Sequence, residues 1–399
     1  MKFAPTMIGE RIAALDMMRG FALLGIFIAN MLFFHTPIIY IDPFTWFQVP
    51  SDVETYRWIS IFIQGTFYPI FAILFGYGIN MQYEKAKRLQ TPFAPVLARR
   101  MMILLMFGLI HALLIWAGDI LMSYAVMGFL LILFVRIPAK WLSAFAIVLY
   151  SLPMGAFIFL LRWMEGLASE TATAEFVDLH KIELSISAYA HGSFSEIFAQ
   201  RFQDWLVIGV QSGFMLGFII VLPLIMLGAA LSKWKIIQRA HTLKVPLAIV
   251  AVLGGAGGIW IKALPFTQGP TFSNQLLQET FGGVLLAFGY MAFLLLLMQI
   301  PLFQVVFRPI AKAGRMSLTT YITQSIVGTF IFYSYGLGLY GKIDLETGTW
   351  IAIGVFVIQV LFAEVWLSKF KTGPIEWLWR KLTYGKILVE KEEKSKQMS

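Results

Sequence analysis

The stretch RIAALDMMRGFALLGIFIANMLFFH, residues 11–35, decides how the rest of the chain is read. From Phe21 it is an apolar run of about 20 residues, the length at which a helix spans a hydrocarbon core of about 30 Å. Basic residues precede it, as in a signal peptide, but the run is too long for one and has no small-residue cleavage site, so it is expected to stay in place as a helix. The composition agrees. Hydrophobic residues make up 59% of the 399 positions and charged residues 13%, a balance that would not keep a soluble domain in solution. Further apolar runs lie near 58–82, 99–117, 119–136, 141–161, 206–231, 245–263, 281–300, 317–336 and 349–368. With the first, near 20–40, they predict an all-α polytopic transmembrane helix bundle of about ten spans, residues 1–399 forming one integral membrane domain.

The net charge of +9 does not imply nucleic-acid binding in such a chain, because the sign has to be read loop by loop. With a cytoplasmic N-terminus, one side of the bilayer carries all but six of the 31 Lys and Arg residues, the exceptions being Arg57, Arg162, Lys181, Arg201, Lys262 and Lys342. The positive-inside rule then puts both termini in the cytoplasm. The longest outer segment, 163–205, holds Glu165, Glu170, Glu175, Asp178, Glu183, Glu196 and Asp204 and reads as a solvated acidic loop or as a place where a ligand or partner is met. Asp178, His180 and Glu183 within it could bind a cation, but a three-residue cluster of this kind is common by chance in an acidic loop, and no metal site is assigned. Residues 373–399 read as a cytoplasmic amphipathic helix plus charged tail. Pro374 suits a helix start, and Ile375, Leu378, Trp379 and Leu382 share a face beside Arg380 and Lys381, as on an inner membrane surface. The chain has no cysteine, which removes disulfides, thiolate metal sites and cysteine nucleophiles from consideration.

Ionisable and polar groups inside the spans each need an account, since a charge at mid-bilayer costs at least about 2.5 kcal/mol. Asp16 and Arg19 are three residues apart, and Arg19 and Asn30 eleven apart, so the three share one helix face. Either Asp16 pairs locally while Arg19 reaches lipid headgroups, or the stripe is a polar track facing the bundle interior. His111, in GLIHALLIWAGDIL (108–121), has apolar neighbours and Asp119 just beyond a turn at Gly118; it is a hydrogen-bonded core histidine or a general acid-base group. His35 reads as interfacial. In AGRMSLTTYITQS (313–325), Gln324 and Ser325 suit an interhelical hydrogen-bonded interface or a ligand site near Arg315. Glu364 suits pairing with a basic residue at the inner mouth, or catalysis. Arg19, Arg99, Arg100 and Arg315 together would form a guanidinium-rich mouth that fits phosphates, whether of a donor or of lipid headgroups. GGAGG at 254–258, and Gly213 with Gly217, have the spacing of closely packed helices.

Three stretches carry a resemblance. RIAALDMMRGFALLGIFIAN (11–30), HALLIWAGDIL (111–121) and the pair AGRMSLTTYITQS with GPIEWLWRKLTYGK (373–386) resemble the YeiB-like bacterial membrane proteins, a domain of unknown function, over nearly the whole chain. LDMMRGFALLGIFIAN followed by FYPIFAILFGYGI (67–79) is similar in layout to heparan-α-glucosaminide N-acetyltransferase, and its opening to membrane O-acyltransferases of bacterial glycans. The likeness implies a multi-pass protein of the bacterial cell membrane that moves an acyl group from a cytoplasmic donor to an acceptor across the bilayer, Arg19 matching the opening arginine. In the O-acyltransferases the position eleven residues on is a histidine; here it is Asn30, as in the glucosaminide enzyme.

The expectation is therefore a membrane acyltransferase with acetyl-CoA or another acyl-CoA as co-substrate and no permanently bound cofactor. Arg19 with Arg99, Arg100 or Arg315 would hold the donor phosphates, His111 oriented by Asp119 would deprotonate a glycan or small-molecule acceptor, and Asn30 would stabilise the oxyanion. Asp16, His35, Gln324, Ser325 and Glu364 would complete a polar pathway. Two other classes stay open: a transporter or exporter of a small molecule or lipid, and a non-enzymatic membrane partner or sensor. The lipid bilayer is the expected surrounding, nucleic acid is not an expected partner, and oligomerisation is left open.

Overall fold

The computed structural model describes residues 12–167, 177–211 and 217–385. Arg11, Glu170, Glu175, Gly213 and the Lys-rich tail beyond residue 385 lie outside them. Among the described residues every regular element is a helix, as expected where no water is present to satisfy an open backbone. In chain order the principal helices are α1 (Ala13–His35), α2 (Pro50–Phe62), α3 (Phe67–Arg88), α4 (Phe93–Ile110), α5 (Leu121–Phe134), α6 (Ala139–Leu167), α7 (Leu179–His191) and α8 (Phe194–Trp205). They are followed by α9 (Leu222–Lys233), α10 (Lys244–Lys262), α11 (Gly283–Leu297), α12 (Arg308–Arg315), α13 (Ser317–Phe332), α14 (Leu345–Lys369) and α15 (Pro374–Tyr384).

Among the described residues seven helical stretches are long and apolar enough to cross a membrane: Ala13–His35, Pro50–Arg88, Phe93–Ile115, Ala139–Leu167, Lys244–Lys262, Phe272–Leu297 and Leu345–Lys369. Leu121–Phe134 and Gly217–Lys233 are apolar but shorter, and α13 has 16 residues. The boundaries differ from a hydropathy reading where polar groups are built into the helix. The first helix starts at Ala13 rather than near residue 20, because Asp16 and Arg19 satisfy each other across one turn, Arg19 NH1 donating to Asp16 Oδ1 at 2.9 Å. The second run is divided at 63–66, where Gly65 takes φ +71°. A Cβ there would fall 2.6 Å from the Glu279 carbonyl oxygen, so only glycine fits.

The first helix is the axis of the bundle. Two thirds of its apolar window is buried, against 17% for α10 and α14, and it packs against α3, α12, α13 and α14. At its basic end two backbones meet: a Cβ on Gly20 would lie 2.1 Å from Ile310 O, and one on Gly314 would lie 1.9 Å from Asp16 O. Small residues allow this approach, and dispersion between the two backbones then holds it. The GGAGG segment is a second packing face, with Gly254 and Gly258 set against α11.

At the opposite end the acidic segment is not a solvated loop. Most of its described part is helical, with α7 capped by Asp178, which accepts from Lys181 N at 3.1 Å, and α8 opened by a Ser193–Glu196 capping box. Asp204 is buried and accepts from Tyr40 Oη at 2.6 Å, Tyr189 Oη at 2.7 Å and Gln200 Nε2 at 2.8 Å. The helices cover the bundle end, and a carboxylate turned inward must be hydrogen-bonded to be tolerated. Burial nevertheless pushes the Asp204 carboxyl above its ordinary value of 3.8, outweighing its three donors. A carboxyl raised in the folded state contributes stability at low pH and loses it as pH climbs through the folded value. The thermal stability of the native chain relative to Asp204→Asn is therefore expected to be greatest near pH 4 and to shrink toward pH 7. Melting curves in detergent across that range check this; a growing difference would refute it.

Candidate functional site

A cavity of about 230 Å³ opens at the basic end of the bundle. Its mouth is set by Arg19 on α1, Lys85 on α3, Arg100 on α4, Arg315 on α12 and Arg380 on α15, against the two carboxylates of Asp16 and Glu376. Its walls are apolar, with Phe71, Phe75, Leu104 and Leu121, and it closes at Ile120, Tyr124 and Tyr321. Helix phase explains who faces it. Neighbouring residues on α4 point about 100° apart, so Arg100 lines the cavity while Arg99 is exposed on the outside. Arg100 stacks over the Trp379 ring at 4.0 Å and donates to Gln82 Oε1 at 3.2 Å. Arg315 NH2 donates to Lys371 O at 2.6 Å. Gly78 stands opposite Arg19, its absent side chain leaving room for the guanidinium, whose NH2 would be 3.5 Å from a Cβ there.

Behind the closed end lies the pair that the sequence singles out. His111 Nδ1 is 2.9 Å from Asp119 Oδ1, and both side chains are 1% exposed. The contact has the separation of an ion pair without the alignment of a hydrogen bond, and His111 Nε2 has no hydrogen-bond partner among the described residues. Such geometry is common in an unliganded acid-base pair. The local backbone produces it. At His111 the helix α4 widens into a π-turn, His111–Ile115, closed by Trp116 N donating to His111 O at 2.8 Å, and π-turns are frequent at functional sites. The connection to α5 takes five irregular residues, 116–120, rather than a single-residue turn, and within it Asp119 reaches forward to cap the next helix. Its Oδ2 accepts from Met122 N at 2.8 Å, and Gly108 leaves the space for it. Tyr321 joins the two regions. Its ring lies 5.1 Å from the His111 ring, and its hydroxyl accepts from Ile120 N at 3.3 Å and donates to Gly118 O at 3.4 Å. On the far side of Gly118 a second pocket of about 10 Å³, room for one water, lies among Tyr40, Tyr189 and Asp204.

The other expected residues are placed elsewhere. Asn30 shares the face of Arg19, but the cavity wall on α1 ends at Arg19 and Asn30 lies three turns beyond it. His35 is fully buried rather than interfacial, between Phe332 at 5.6 Å and the closely packed Gly348. Gln324 donates to Gln359 Oε1 at 3.2 Å, Gln359 donates in turn to Thr323 Oγ1 at 2.8 Å, and Ser325 bonds its own helix, so these polar groups tie α13 to α14. Glu364 pairs with Lys312. None of the five expected residues lines the cavity. The sequence reading placed none of Tyr321, Lys85, Arg380 and Glu376 at the site; of these it noticed only Arg380, as a cation of the membrane surface.

A profile described as a protein of unknown function, DUF418, matches residues 231–386, the part that holds Arg315, Tyr321, Glu376 and Arg380. The whole chain is similar to an uncharacterized protein, YxaH, of Bacillus subtilis (strain 168), with 33% identity covering 95% of this chain and 96% of that protein. It is also similar to an uncharacterized protein, YeiB, of Escherichia coli (strain K12), with 29% identity over 94% and 96% of the two. An uncharacterized 39.9 kDa protein of Bacillus acidopullulyticus is 28% identical over 97% and 99%.

Asp119 both caps α5 and faces His111, so its truncation removes two interactions at once. Asp119→Ala is expected to lower stability by about 1–3 kcal/mol, and Asp119→Asn by less, since an amide oxygen can still cap Met122 N. Thermal unfolding of the two variants in detergent measures the difference; equal losses would show that the cap contributes nothing.

Proposed function

Because the chain belongs to the YeiB-like family of multi-pass membrane proteins, for which no activity is fixed by name, we propose its function from its own cavity: transfer of an acyl group from a phosphate-bearing donor such as acetyl-CoA. The observation that carries the reading is the sequence of surfaces along that cavity, five cations at the mouth, apolar walls, and a buried His–Asp pair one ring beyond the closed end. Guanidinium groups bind phosphate bidentately, and Arg19, Arg100 and Arg315 supply them. About 230 Å³ is smaller than most complete ligand sites, so it receives the acyl-bearing arm while the donor's phosphates stay at the mouth. His111 Nε2 accepts the proton of an acceptor hydroxyl or amine as it attacks the thioester carbonyl, and returns it to the departing thiolate. Asp119, 2.9 Å from His111 Nδ1, holds the ring. Asn30 has no part in this reading. Positive-inside charge supports a basic end facing the cytoplasm of a bacterial cell membrane, with a glycan or small-molecule acceptor approaching from the side of Gly118.

One observation favours a second reading, transport. The α2–α3 break frees the Gln64 carbonyl, which Lys262 Nζ meets at 2.5 Å beside the π-turn Gln278–Gly282, and broken helices at depth are where transporters hold ions.

Acetyl-CoA is expected to bind the purified protein saturably. Arg19→Ala should weaken that binding about 10- to 100-fold, and Gly78→Leu, which fills the space facing Arg19, should abolish it in a protein that still elutes as a monodisperse species. Calorimetric titration tests both, and no binding to well-folded native protein would sink the acyl-CoA reading. Proton flux into proteoliposomes that disappears in Lys262→Met would favour transport instead.

A further inference from the structure

The helix α15 has two faces, and neither is idle. Its inward face carries Glu376, which is buried and accepts from Leu318 N at 2.6 Å, Thr319 N at 3.0 Å and Thr319 Oγ1 at 2.6 Å. These are first-turn groups of α13, a helix whose own N-cap position, Met316, offers no side-chain acceptor. A carboxylate brought from 57 residues away therefore does the work that a local Asp or Ser does elsewhere. The same face supplies Trp379 and Arg380 to the cavity wall, and Trp379 Nε1 donates to Arg100 O at 3.1 Å. The outward face exposes Trp377, Leu378 and Leu382, with Lys381 over the Trp377 ring at 4.9 Å. Only residues 370–373 separate this helix from α14, which exposes Val357, Ile358, Leu361 and Val365, so a second exposed apolar surface lies next to it in the chain. The cation flanking the outward face suits an anionic leaflet.

We propose that α15 is a hinged wall of the cavity, latched to α13 by Glu376 and seated by its outward face on the surface of the adjacent leaflet, and that ligand enters when the latch releases. The seat is an interaction surface for anionic lipid, and it couples the state of the leaflet to access to the site. Gly373 is the hinge. A Cβ on it would fall 2.1 Å from Glu376 Oε2 and 2.8 Å from Thr319 Oγ1, so the docked position requires glycine there. The proposal stands whatever ligand the cavity takes, and it does not depend on acyl transfer.

The chain has no cysteine, so a single engineered thiol reports one position. Leu121→Cys, on the inner cavity wall, is labelled with a water-soluble methanethiosulfonate in nanodiscs containing phosphatidylglycerol. Adding Glu376→Ala is expected to raise the labelling rate about tenfold, the effect of losing one strong cap. Adding Trp377→Asp and Leu382→Asp instead, or replacing phosphatidylglycerol with phosphatidylcholine, should also speed it. Ala287→Cys, fully buried on α11, serves as the control and should remain unlabelled throughout. If Glu376→Ala exposes that position too, the outward-face pair decides alone. An unchanged rate in Glu376→Ala overturns the latch, and an unchanged rate in both the outward-face variant and phosphatidylcholine overturns the lipid seat.

Discussion

With no side chain at Gly20 or Gly314, the backbones of α1 and α12 touch, and the cavity depends on that contact. It sets Asp16 and Arg19 on one side of the mouth and Arg315, at the end of α12, on the other. It also fixes where α13 begins, and so where Tyr321 stands relative to His111. A Cβ would stand 2.1 Å from Ile310 O at Gly20 and 1.9 Å from Asp16 O at Gly314, so a larger residue at either glycine would force the two helices, and the mouth they set, apart. The positioning of charge at this mouth is thus a packing result before it is an electrostatic one.

A second constraint runs through the molecule. At three interruptions of the helical ladder an ionisable side chain meets the backbone groups set free: Asp119 at the start of α5, Glu376 at the start of α13, Lys262 at the α2–α3 break. In an apolar surrounding an unsatisfied peptide group costs several kcal/mol, so these residues hold the fold together whatever else they do. For Asp119 the two roles coincide. The carboxylate that caps α5 through Met122 N is the one that lies 2.9 Å from His111 Nδ1.

The all-α membrane class was legible because runs of about 20 apolar residues have the length and composition of membrane helices, although three of the ten runs form shorter helices, and the His111–Asp119 pair was legible because only eight residues separate the two. What could not be read was phase and depth. Arg99 and Arg100 look alike in sequence and face opposite environments, and Asn30 lies on the correct face but beyond the cavity wall. The amides and hydroxyls of AGRMSLTTYITQS were ambiguous between a ligand site and an interface, and the interface holds Gln324 and Ser325 while Tyr321, which attracts no notice in the string, reaches the site. Glu376 was out of reach for a different reason: its partners are far along the chain, and no local pattern encodes them.

The burial of α1 has a consequence in time. It leaves the ribosome well before its partners, yet the residues that close its inner face belong to α12, α13 and α14, roughly 300 residues later in synthesis. Until they arrive, a helix carrying Asp16, Arg19 and Asn30 waits in lipid with its polar stripe uncovered. Assembly of this protein is therefore a wager on completion. A chain interrupted in its last third leaves behind a first helix whose inner face, Gly20 included, lacks the helices it packs against.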